Sequence, residues 1–151
     1  MHPNSPYKGR KTFDLKVLYG KYESLRDFVV VAAKSPDDDD DDDNNNNAGE
    51  GEDDMYIDFK KEGALYQLTK AMLDHDFGLV WSLPAGNLCP TVPNRCNYLC
   101  WLAWDLVGAE EGEEAKRCLD VGIGASCIYP LLGTKLFPRW SFVGTGELVL
   151  E

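Results

Sequence analysis

Residues 119–133 read LDVGIGASCIYPLLG: an apolar run closing on Asp120, two glycines one residue apart, then an apolar stretch continuing to Phe137. The pattern predicts a strand over Cys118–Val121, a turn at Gly122-Ile123-Gly124-Ala125-Ser126, and a helix. Pro130 must sit in the first turn of that helix, where a missing N–H is harmless. Trp140–Thr145 (WSFVGT) reads as the next, parallel strand, so the unit is βαβ. Its glycines let the backbone approach a ligand closely, and the helix start offers free N–H groups. An acid after the second strand is where such folds grip a ribose, and Glu147 follows Asp120 by 27 residues, close to one βαβ spacing. The dinucleotide fingerprint G-x-G-x-x-G is incomplete, because its sixth position is Cys127. An acid ahead of Gly-x-Gly is instead the usual pattern of methyltransferases that use S-adenosylmethionine. These residues point to a nucleoside-cofactor unit; the alternative is a glycine turn serving only strand-to-helix geometry.

Around this unit the chain is globular in composition. Its 151 residues are 44% hydrophobic and 27% charged, which suits one domain and excludes collagen-like, coiled-coil and wholly disordered chains. The net charge of −11 is local. Asp37–Asp54 carries eleven acids and no base, and outside it 15 acids face 15 bases. The acidity therefore does not argue against a polyanionic partner for the folded part. Residues 36–54 (PDDDDDDDNNNNAGEGEDD) read as a disordered insert, since like charges repel and nothing apolar is available to bury. It is either a solvated expansion or an acidic mimic that competes with nucleic acid. Residues 1–36 are basic by four charges.

No apolar run approaches a membrane span, and the first 15 residues lack the apolar core of a secretory signal. Five cysteines cannot all pair internally, so reduced thiols in a nuclear or cytosolic protein are expected. Cys96 and Cys100, four apart, read as buried small hydrophobes rather than metal ligands. His2 and His75 form no recognisable constellation.

Elsewhere, Leu15, Leu18, Tyr22 and Leu25 recur at helical spacing, and Phe28–Ala33 (FVVVAA) reads as a strand. Met55–Phe59 reads as a second strand leading directly into a helix from Lys60 to about Asp76, with Leu65, Leu68 and Met72 on one face and Gly78 as its stop. Trp81–Arg95 holds three prolines and is expected to contain no regular helix. Asn97–Val107 is apolar nearly all round, which predicts a fully buried helix ending at Gly108.

The longer strings carry a resemblance. DHDFGLVWSLPAGNLCPTVPNRCNYLCWLAWDL at 74–106 and LDVGIGASCIYPLLGTKLFPRWSFVGT at 119–145 resemble the family of methyltransferase-like protein sixteen. That family includes the eukaryotic U6 spliceosomal RNA and bacterial 23S ribosomal RNA adenine methyltransferases. MHPNSPYKGRKTFDLKVLYGKY resembles its N-terminal segment. The resemblance implies an α/β fold: an α-rich N-terminal extension, then the first βαβ unit of a Rossmann-like domain, incomplete in these 151 residues. It implies a basic RNA-binding segment at 1–35, the insert at 36–54, a helical part at 55–117 and the start of the cofactor domain at 118–151.

It further implies methyl transfer from S-adenosylmethionine to the exocyclic amine of an adenine in structured RNA such as U6, in the nucleus, without metal or membrane. Arg95 would hold the cofactor's carboxylate, since a planar guanidinium suits two-point binding. Gly122 would lie against the cofactor, Ser126 would hydrogen-bond its amino-acid end, and Asp120, Gly124 and Glu147 would complete the set. Lys8, Arg10 and Lys11 would contact phosphates, which positions RNA without reading bases. Read without the family, Arg95 would be a surface charge and Ser126 a helix cap.

Three departures are visible. Ile123 replaces the family's usual threonine, Gly146 stands where its acid follows the second strand, and Asn4, Ser5 and Pro6 replace arginines. The family's Asn-Pro-Pro-aromatic motif, which holds and stacks on the flipped adenine, is not among these residues. Methyl transfer mainly needs alignment of amine, methyl carbon and sulfur. The chain is therefore expected to be a portion of such an enzyme, inactive alone, with a non-catalytic RNA-binding or regulatory protein as the rival reading.

Overall fold

The computed structural model describes residues 1–9, 13–31, 55–108 and 115–146. Two helices, α1 (Leu15–Lys21) and α2 (Glu23–Arg26), precede strand β1 (Val29–Val31). The Asp14 carboxylate caps α1 by accepting the Val17 N–H at 3.2 Å. β1 pairs antiparallel with β2 (Met55–Ile57), Val31 opposite Met55, so the acidic stretch leaves and rejoins the fold at adjacent points. The acidic insert itself lies outside the described residues, and the predicted strand at Phe28–Ala33 is realised over its three valines.

Helix α3 (Ala64–Phe77) starts four residues later than its sequence pattern suggests. Lys60 and Lys61 donate their N–H groups to the side chain and carbonyl of Asp58, which closes a turn, and Gly63 then takes a left-handed φ of 87° to enter the helix. Leu68 and Met72 are buried, with Leu65 beside them at half burial, and Gly78 ends the helix with its own left-handed φ of 61°. The Gly78 N–H reaches back to the Asp74 carbonyl, as in an αL end, and the Leu79 N–H to the Leu73 carbonyl.

Two expectations for the next region are corrected. Helix α4 (Val92–Trp101) begins inside the proline-rich stretch, because Pro93 lies in its first turn, where no N–H partner is needed. The segment 97–107 is not buried all round. Cys96, Leu99, Cys100 and Ala103 are buried, while Tyr98, Trp101, Leu106 and Val107 are exposed. At Leu102 the α-helix widens into a π-helical turn, Leu102–Leu106, which re-aims the following side chains.

The βαβ unit is present. β3 (Arg117–Val121) and β4 (Ser141–Thr145) pair in parallel, Asp120 opposite Gly144, joined by α5 (Ile128–Leu136). One core runs from Leu18 and Leu25 through Met72, Leu73 and Leu99 to Ile128, Leu132 and Trp140. The β3–β4 ribbon is covered on one face only. Phe142 packs under α5, whereas Leu119, Val121 and Val143 on the other face are exposed. Cys96 and Cys100 are fully buried, and burial pushes their thiols up to about 12 and about 11. They remain neutral, apolar packing groups across the ordinary pH range.

Candidate cofactor site

The β3–α5 connection is tied to the end of β4. The N–H groups of Gly122 and Ile123 both donate to the Thr145 carbonyl, at 2.8 and 2.9 Å. Three left-handed residues turn the chain here: Gly122 (φ 76°), Gly124 (φ 63°) and Cys127 (φ 48°). Cys127 occupies the sixth fingerprint position and takes a left-handed backbone, which glycine adopts at least cost. It, not Ser126, is the residue flanking α5, and it caps nothing with its side chain. The reading of Ser126 as a helix cap is thereby corrected. The Ser126 peptide is instead fixed from outside, its carbonyl accepting the Trp81 indole N–H at 3.0 Å.

Two features fit a ligand against this turn. A Cβ at Gly122 would meet nothing within 4 Å, so the backbone faces open space there. Asp120 places a buried carboxylate oxygen, Oδ2, without a hydrogen-bond partner among the described residues. A buried acceptor of this kind is costly unless something donates to it. By contrast, the space beside Gly144 is filled from within: an added Cβ would lie 2.2 Å from Ile123 Cδ1. Ile123 therefore packs across the strand ends, where the family's threonine would stand.

Arg95 is not a free surface charge. It is half-buried on α4, and its Nη1 donates to the Tyr129 hydroxyl at 3.1 Å. Its guanidinium carbon stands 5.6 Å from the Tyr129 ring centroid. Tyr129 is the second residue of α5, so Arg95 is attached to the helix that the glycine turn feeds. Asp120, Gly122, Gly124 and Ser126 thus share one connection, with Arg95 joined to it through Tyr129. Glu147, Arg10 and Lys11 lie outside the described residues. Lys8 is exposed in a turn, its N–H bonded to the Ser5 carbonyl.

Sequence reasoning missed Trp81 and Tyr129. Nothing in a proline-rich loop marks Trp81 as a partner for residue 126. A tyrosine just inside the helix after Gly-x-Gly was a legible position, though not a legible contact. It also missed the role of His2, whose ring stacks on Trp104 at 5.7 Å and stands 3.4 Å from the Asp105 carboxylate. Among the described residues no cluster of three or more His, Cys, Asp or Glu is arranged to hold a metal ion, and no helix is long and apolar enough to cross a membrane.

A profile described as RNA methyltransferase matches residues 1–148. A U6 small nuclear RNA (adenine-(43)-N(6))-methyltransferase of Dictyostelium discoideum is 44% identical over 95 residues, 58% of this chain and 17% of the relative. The hMettl16 catalytic domain, solved with a MAT2A 3′UTR hairpin, superposes with a TM-score of 0.75 at 34% identity, over 97% of this chain and 44% of that one. The N-terminal domain of human METTL16 in complex with SAH superposes with a TM-score of 0.71 at 27% identity, over all of this chain and 62% of that one. The chain thus spans less than two thirds of each of these proteins.

Proposed function

This chain belongs to the RNA methyltransferase family matched over residues 1–148, and from that premise we propose that it forms the cofactor-binding and RNA-engaging part of an adenine N(6)-methyltransferase. The carrying observation is the β3–α5 connection: an open glycine backbone beside a buried, unpartnered Asp120 oxygen, with an anchored arginine on the adjoining helix. Donor groups on a nucleoside cofactor would satisfy Asp120, and Arg95 would pair with a carboxylate. When bound, S-adenosylmethionine supplies an electrophilic methyl group for the adenine N6 nitrogen. The chain's own residues hold and orient; Gly122, Gly124 and Ser126 give the close backbone surface, and Glu147 is assigned to the ribose. Lys8, Arg10 and Lys11, in the segment 1–35, are assigned to phosphates of a structured RNA of the U6 type. Residues 55–117 form the helical support and 118–151 the start of the cofactor domain. A U6-type substrate places the protein in the nucleus.

The test is calorimetric titration of the chain with S-adenosylhomocysteine and, separately, NAD. Binding of the former, weakened at least about tenfold by Arg95→Ala, is expected, since charge-assisted bonds are the strong ones. Preference for NAD, or binding indifferent to both Arg95→Ala and Asp120→Ala, refutes the assignment.

A further inference from the structure

Arg95 is held in place by two different interactions with one side chain. The Tyr129 hydroxyl oxygen accepts from Nη1 at 3.1 Å, and the guanidinium lies over the edge of reach of the Tyr129 π-face, 5.6 Å from the centroid. The Tyr129 ring is itself braced by Tyr98, 5.3 Å away and tilted by 57°. Tyr98 lies on α4 with Arg95, three residues on, so the brace closes a loop between α4 and α5. A free arginine samples many rotamers, and ordering it on binding costs affinity. An arginine already pointed and already bonded does not pay that cost again.

We infer that Tyr129 is the positioning residue for Arg95: it sets the guanidinium in advance for the carboxylate of the cofactor's amino-acid end, with Tyr98 as its support. This deepens, and rests on, the cofactor assignment above. The hydroxyl and the ring make separable contributions. Tyr129→Phe removes the acceptor and keeps the π-face, whereas Tyr129→Leu removes both.

Two measurements on the chain separate this inference from the reading beneath it. The first needs no ligand. The Arg95 side-chain ¹⁵N resonances should show a restrained guanidinium in the unsubstituted chain, a looser one in Tyr129→Phe and a freely rotating one in Tyr129→Leu. The second compares S-adenosylhomocysteine with 5′-methylthioadenosine, which lacks the amino-acid end. Tyr129→Phe should weaken the first about three- to tenfold and leave the second unchanged, the size expected for one hydrogen bond to a charged group that is partly replaced by water. A merely structural role would weaken both ligands together. Unchanged Arg95 mobility in Tyr129→Leu, or equal loss for the two ligands, overturns the positioning role. An ordered Arg95 released by Tyr129→Leu, with no binding of either nucleoside, upholds the α4–α5 brace but overturns its assignment to a cofactor. Tyr129→Phe keeps the ring volume, so it distinguishes these outcomes even where Tyr129→Leu fails to fold.

Discussion

Gly133 sits in the middle of α5, where replacing glycine by alanine ordinarily stabilises a helix by about 1 kcal/mol. Here the opposite sign is expected. An added Cβ would lie 2.2, 2.6 and 3.0 Å from three atoms of the Phe142 ring. Carbon atoms pack at roughly 3.5–4.0 Å, so the ring would have to retreat by about 1.3 Å or more. Phe142 cannot do so freely, being fixed on β4 opposite Cys118. Overpacking of this kind costs about 1–3 kcal/mol against a propensity gain of about 1, so Gly133→Ala is expected to be net destabilised, by up to about 2 kcal/mol. Urea denaturation gives the shift directly from the midpoint at constant slope. The same substitution made in a Phe142→Ala background has room for its methyl group and should stabilise, so the double-mutant cycle changes sign. A Gly133→Ala chain with a raised midpoint in the presence of Phe142 would refute the packing argument.

Other outcomes follow from the same structure. The Cys96 and Cys100 thiols titrate near 12 and 11 in the fold and near 9 when unfolded, so their contribution is complete below pH 9 and is lost as pH rises from 9 through 11–12. Each thiol steepens the fall by at most about 1.4 kcal/mol per pH unit, and melting curves of Cys96→Ala/Cys100→Ala should be flatter over that window, whatever their absolute midpoint. Cys127→Gly removes a left-handed penalty of about 1–2 kcal/mol at a cost of about 0.5–1 in unfolded-chain entropy, for a net gain near 0.5 kcal/mol; a lowered melting temperature would contradict the strain at φ 48°.

The βαβ unit was legible because its signals are local. Apolar runs set β3 and β4, and the glycines between them need no distant partner to turn the chain. The antiparallel pairing of β1 with β2 was not legible, because a long acidic stretch separates two three-residue strands whose partners no local pattern names. The start of α4 was misjudged by treating every proline as a helix breaker, although Pro93 falls where the helix tolerates one. The exposure of Tyr98 and Trp101 was misjudged for a different reason. Composition fixes how apolar a helix is, not which face it buries: the α4 face carrying Cys96, Leu99 and Cys100 takes the core, and Tyr98 and Trp101 fall on the other. At the candidate site, the glycine turn is legible from local sequence and Arg95 is singled out only by the family resemblance, whereas the Tyr129 bond and the Trp81 indole contact are tertiary facts. They arise only when α4, α5 and the loop that follows α3 come together.

The docked N-terminal segment has a consequence for how this chain is born. The His2 backbone N–H donates to Asn97, the Tyr7 hydroxyl to Asp76, and the Asn4 carbonyl accepts from Cys100, across sequence separations of 95, 69 and 96 residues. At about 5–20 residues per second of synthesis, His2 and Asn4 leave the ribosome roughly 5–20 s before their partners on α4, and Tyr7 roughly 3–14 s before Asp76 on α3. A segment made well before the elements that hold it is therefore among the last to find its place, and through that interval its backbone polar groups are satisfied by water instead.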